Sequence, residues 1–163
     1  MITSAQPADR EAVAALLGRV PKAEFEVVVR SPDGTPVVTR NAPFEKDGTP
    51  MPTRYWLLPS SRAAAAIGRL ESSGGVRRAE QEVSAEDVAD AHHRYALERN
   101  SEIPEGWAGP RPVGGVGGTR RGLKCLHAHY AYWLSGSDDA VGEWVSQQLT
   151  TDERDIRAER FCA

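Results

Sequence analysis

The chain has 163 residues, 40% of them apolar and 26% charged, with 20 basic against 23 acidic side chains and a net charge of −3. That length predicts one domain with enough material for a core, and the acidic balance argues against a general nucleic-acid binder. The two cysteines, Cys125 and Cys162, are too few for a disulfide framework, no apolar run reaches a membrane span, and the N-terminus lacks signal-peptide character, so a cytoplasmic protein is expected.

In chain order, Val13, Leu16, Leu17 and Val20 follow helical spacing, so Pro7 to Leu17 reads as a helix that Gly18 ends. Phe25, Val27 and Val29 alternate with other residues as in a half-buried strand. Ser31-Pro32-Asp33-Gly34 is turn chemistry, and Pro36 to Thr39 returns as the second strand of a hairpin. Asp-Gly-Thr-Pro recurs at 33–36 and 47–50, which is reuse of turn residues rather than a repeat. Tyr55 to Leu58 reads as a third strand, at an edge because Pro50, Pro52 and Pro59 flank it.

Ser60 or Ser61 is expected to cap an alanine-rich helix with Ile67 and Leu70 inward, ending near Gly74-Gly75. Ser84 and Asp87 have the spacing of a capping box, opening a helix to about Arg99 with Val88, Ala91, His92 and Tyr95 on one face. Residues 100–116 form a Pro- and Gly-rich loop whose Trp107 should pack onto the body. Thr119 is expected to cap a central helix closed by Gly136, and Ser137 a final helix with Val141, Trp144, Val145 and Leu149 inward. The reading is a single α+β domain over 1–150, a small antiparallel sheet of about three strands packed by four or five helices. A charged tail over 151–163 is expected to fray.

The unusual chemistry collects between Gly114 and Leu134. No acid occurs from Gly106 through Ser137, where Arg111, Arg120, Arg121 and Lys124 are found, while the chain from Asp138 onward is net −4. One basic island in an acidic chain suits a single anion or an acidic docking partner. In the anion reading, the amides of Gly117, Gly118 and Thr119 converge with Arg120, Arg121, Lys124 and His127 at a helix N-terminus. The loop is neither a Walker motif nor a dinucleotide fingerprint, because Leu123-Lys124-Cys125 replaces the required pair and no strand leads in. The Pro50-Met51-Pro52 loop and the glycine loop are the expected pocket walls.

In the metal reading, Cys125 and His129 lie four apart on one helix face and need His92, His93 or Cys162 to complete a site. His127, about 100° further round, points at the core. The plain alternative makes His127 and His92 hydrogen-bonded core histidines and Cys125 a small buried apolar residue. A nucleophilic Cys125 suffers from lying about six residues into the helix, with no Asp or Asn nearby to orient a histidine.

Asp47 to Thr53, Tyr55-Trp56-Leu57 and above all Lys124-Cys125-Leu126-His127 resemble the bacterial family known as domain of unknown function 501, from about Gly18 to Trp144. The resemblance implies a small cytoplasmic protein, common in actinobacteria and often encoded beside a septum-formation protein. It implies no activity or cofactor, but favours His127 with Cys125 and Lys124 as the centre of the site. The leading expectation is a ligand-binding domain holding a phosphate or carboxylate. The alternatives are a protein–protein adaptor linked to cell division and a metal-dependent enzyme. A ligand site requires a concavity on which both arginines converge, a docking face a flat surface.

Overall fold

The computed structural model describes residue 2 and residues 4–159, so Cys162 lies outside the described residues. Helix α1 (Pro7–Leu17) precedes a three-stranded antiparallel sheet of β1 (Ala23–Arg30), β2 (Pro36–Glu45) and β3 (Tyr55–Leu57), in that order. β2 is central, and the short β3 pairs Val38 with Leu57 and Arg40 with Tyr55 at the edge that its flanking prolines foretold. Five more helices follow: α2 (Ala64–Ser72), α3 (Gly75–Glu82), α4 (Ala85–Asn100), α5 (Leu126–Leu134) and α6 (Ala140–Gln148). The architecture is α+β, with six helices among the described residues. The extra helix arises at Gly74, whose φ of 88° breaks the alanine-rich segment and starts α3 in a new direction.

Ser84 accepts the Asp87 N–H at 3.1 Å, as its spacing required. Helix α6 is capped instead by buried Asp139, which accepts the Val141 and Gly142 N–H groups. Ser137 has no such role. Trp107 packs on Phe44 with ring centroids 4.3 Å apart, so the long loop is anchored.

The core forms around α5, which packs against β3 and α6 and buries Leu126, Ala128, His129, Tyr130, Ala131, Tyr132 and Leu134. Tyr132 stacks between Tyr55 at 5.1 Å and Tyr95 at 5.3 Å, a geometry that adds about 0.5–1.5 kcal/mol per pair beyond burial. A smaller cluster of Val13, Phe25 and Leu58 sits under α1. Among the described residues no helix is long and apolar enough to cross a membrane.

The segment after Thr150 is held to the body as far as Ala158 rather than frayed. Asp155 accepts from Ser61 Oγ at 2.6 Å and the Arg62 N–H at 2.9 Å, and meets the Tyr130 hydroxyl at 3.2 Å. Arg157 lies over Trp133 and donates to its carbonyl, and the Ala158 N–H donates to Leu134. Asp155→Ala is expected to lower stability by about 2 kcal/mol, the scale of hydrogen bonds to a charged group. Thermal unfolding, with earlier proteolysis of the tail, checks it.

Candidate functional site

Helix α5 begins at Leu126, six residues later than a helix capped by Thr119 would. The preceding loop contains a short 3-10 turn at Val116–Gly118, and Gly122 adopts φ 62°, which no α-helix accommodates. Thr119 does not cap a helix; its hydroxyl donates to the Arg121 carbonyl at 2.7 Å. Arg120, Arg121 and Lys124 therefore lie on an exposed loop rather than in a first helical turn. Part of the glycine loop's amides are used within the fold: the Gly115 N–H donates to the Thr119 carbonyl, the Gly118 N–H to the Gly115 carbonyl, and the Val116 N–H to His92 Nδ1 at 3.0 Å, which takes up Gly118 among the three amides expected to meet an anion. His92 Nε2 then carries the proton and donates to the Gly122 carbonyl at 2.7 Å, so one imidazole clamps both ends of the loop. Burial lowers the His92 pKa, which keeps it in that neutral form.

The later helix start reorganises the metal candidates. Cys125 is the N-cap residue, with extended backbone at φ −136° and ψ 113°, so the four-residue alignment with His129 does not apply. His129 turns inward, fully buried, with Nδ1 2.7 Å from Asp139 Oδ2 and its ring 5.5 Å from that of His92. His93 is exposed on α4. Among the described residues, Cys125, His129, His92 and His93 form no ligand cluster.

Cys125 instead meets His127 and Glu71, their functional atoms all lying within 4.8 Å of one another. Glu71 stands in the last turn of α2, and nothing in its local sequence marks it. Its Oε1 is 2.7 Å from His127 Nδ1, while its Oε2 accepts the Leu126 N–H at 3.0 Å. His127 Nε2 donates to the Ala64 carbonyl at 3.0 Å. Contrary to the expectation that it faces the core, the His127 side chain is 32% exposed and Glu71 25%. His127 is pushed up to about 9 chiefly by its hydrogen bond with Cys125; burial opposes this, and the Ala64 carbonyl and Glu71 add to it. Burial resists ionisation of the Cys125 thiol, but hydrogen bonds from His127 and the Ala128 N–H outweigh it and hold the thiol below its ordinary range. Gly117, at φ 70°, backs this cluster: a Cβ there would sit 3.4 Å from Cys125 Cβ.

Arg120 and Arg121 both line a second feature, a concavity of about 400 Å³ beside Glu80, His92 and Gly122. Val83, Ala85, Val88 and Ala89, from the end of α3 and the start of α4, also line it. Neither arginine, nor Lys124, forms an ion pair with a described acid. Met51 and Pro52 do not share this cavity; they line a separate one of about 190 Å³ against Arg19 and Trp56.

Residues 27–147 match the family described as "Protein of unknown function (DUF501)". The chain belongs to this family. The DUF501 match runs from β1 into α6, so it takes in both the Cys125 cluster and the arginine concavity, and leaves out α1 and the tail. No curated protein and no solved structure matches the chain.

Proposed function

We propose that this DUF501 chain is a binding domain for a small anion with an apolar body, a carboxylate or phosphate monoester. The observation that carries the reading is that Arg120 and Arg121 both line one concavity whose lining also includes Val83, Ala85, Val88 and Ala89. Guanidinium groups without an acidic partner are available to an oxyanion, and Val83, Val88 and the two alanines cover the ligand's apolar part. Glu80 lines the same space but is committed, its Oε1 accepting the Leu123 N–H at 3.1 Å. The anion contact moves from the loop amides to the arginine side chains, since Gly115, Val116 and Gly118 spend their N–H groups within the fold. Gly117, Gly118 and Thr119 then shape the loop, His127 belongs to the neighbouring cysteine cluster, and Lys124 stands exposed on the loop. A docking face for a protein partner is less well supported by a concave surface.

Calorimetric titration with phenyl phosphate, benzoate and inorganic phosphate tests this. Phenyl phosphate should bind more tightly than inorganic phosphate, because only it fills the apolar wall. Arg121→Gln should weaken it by about 1.5–3 kcal/mol, roughly ten- to a hundredfold. Arg121→Glu should abolish binding. Unchanged affinity in the charge-reversed variant refutes the assignment.

A further inference from the structure

We propose that Glu71, Cys125 and His127 form a binding site for one zinc ion, with a fourth coordination position open to solvent. The three side chains offer a carboxylate oxygen, a thiolate sulfur and an imidazole nitrogen within 4.8 Å of one another, a donor set suited to a borderline-soft divalent cation. They come from the end of α2 and the entrance of α5, elements that pack together, so the fold itself holds them in place. A thiolate and a carboxylate carry two negative charges, which one divalent ion neutralises.

Two of the donors also have an outer partner that aims them. His127 Nε2 donates to the Ala64 carbonyl, and Glu71 Oε2 accepts the Leu126 N–H. This leaves Nδ1, Oε1 and Sγ as the converging atoms, and such outer partners are what orient metal ligands in proteins.

The same geometry argues against a relay of the nucleophile–base–acid type. In a relay the acid and the nucleophile address opposite nitrogens of the imidazole. Here a main-chain carbonyl holds Nε2, and the carboxylate is 2.7 Å from Nδ1, the only nitrogen left to act as a base. A hydrogen bond that short needs a proton between the two atoms, which is where the ion would sit. Tetrahedral ligation at about 2.0–2.1 Å separates two such ligand atoms by about 3.3 Å, so Nδ1 and Oε1 must part by about 0.6 Å. Both side chains are partly exposed and have room to do so. Three protein ligands are the number found in zinc sites that keep a position for water or substrate, whereas closed structural sites take four.

The test uses the full-length, untagged chain carrying Cys162→Ser, freed of metal with a chelator and titrated with zinc sulfate and, in parallel, cobalt chloride. One equivalent of zinc should bind. Cobalt should add the intense near-ultraviolet band of a thiolate ligand together with visible bands of a tetrahedral centre. Cys125→Ser, His127→Gln and Glu71→Gln should each weaken zinc binding by about a hundredfold or more, since loss of an outer partner alone costs about 10- to 100-fold.

Because these substitutions also touch the packing of α2 on α5, a second readout uses the unaltered chain. Iodoacetamide labelling at Cys125, followed by mass spectrometry, should slow by about tenfold or more once one equivalent of zinc is present, as the thiolate becomes a ligand. Labelling indifferent to zinc overturns the proposal and leaves an ion-paired free thiolate. A cobalt spectrum without the thiolate band, or variants that bind zinc like the parent, overturns it too.

Discussion

Arg54→Ala is expected to destabilise the protein by about 3–5 kcal/mol, the scale of breaking a buried ion pair from one side. The Arg54 side chain is only 2% exposed, at the junction between the proline loop, β2 and the end of α4. Its guanidinium meets Glu102 through two contacts, at 2.7 and 3.3 Å, and donates to the Asn41 carbonyl at 3.2 Å. Nε lies 3.5 Å from Glu98 Oε2, an ion pair without a hydrogen bond. Removing the cation takes from the Glu98 and Glu102 carboxylates and the Asn41 carbonyl the one positive group they share. Arg54→Lys should not restore stability, because an ammonium cannot reproduce the fork. Arg54→Met, which keeps the volume, should cost less than alanine.

The pair also predicts a pH dependence. Burial would raise the Glu102 pKa, but the Arg54 hydrogen bond and charge prevail and hold it below the ordinary value of 4.5. A carboxyl depressed in the folded state adds stability above its unfolded value and loses it as pH falls through the folded one. Urea unfolding between pH 7 and pH 3 should therefore show acid destabilisation below about pH 4.5 that is smaller in Arg54→Met. Equal slopes in the two proteins would count against this account.

Gly115→Ala is expected to cost about 1–3 kcal/mol and, in addition, to remove anion binding. Gly115 has a negative φ of −105°, and the expected effect is steric. A methyl group there would stand 2.3 Å from His92 Nδ1 and 2.6 Å from its Cβ. His92 cannot yield, being tied to the Val116 N–H on one side and the Gly122 carbonyl on the other. The loop must move instead, taking Arg120 and Arg121 with it. Phenyl phosphate titration beside a thermal melt separates the two effects: a folded variant with unaltered affinity would show that the clamp does not position the arginines.

The α+β class, the three strands, the start of α4 and the packing of Trp107 are all legible in the amino-acid sequence, as is the family. These features follow from short-range rules: alternation along Phe25 to Val29, a serine three residues before Asp87, an aromatic in a polar loop. The run Lys124 to His127 stands out in the sequence for its residue types, and the fold sets two of them, Cys125 and His127, beside Glu71.

What tertiary structure alone decided is the company these residues keep. The first amide of α5, at Leu126, is satisfied by Glu71 from 55 residues away, and no local pattern announces that contact. Gly122 reads equally well as a tolerated helical glycine or as a left-handed break, and the His92 clamp, again from another helix, selects the break. Moving the helix start by six residues puts Cys125 before the helix rather than on it, swaps the buried histidine from His127 to His129, and brings in Glu71. Helical periodicity predicts neighbours only once the first residue of the helix is known, and here packing between α2, α4 and α5 sets that residue.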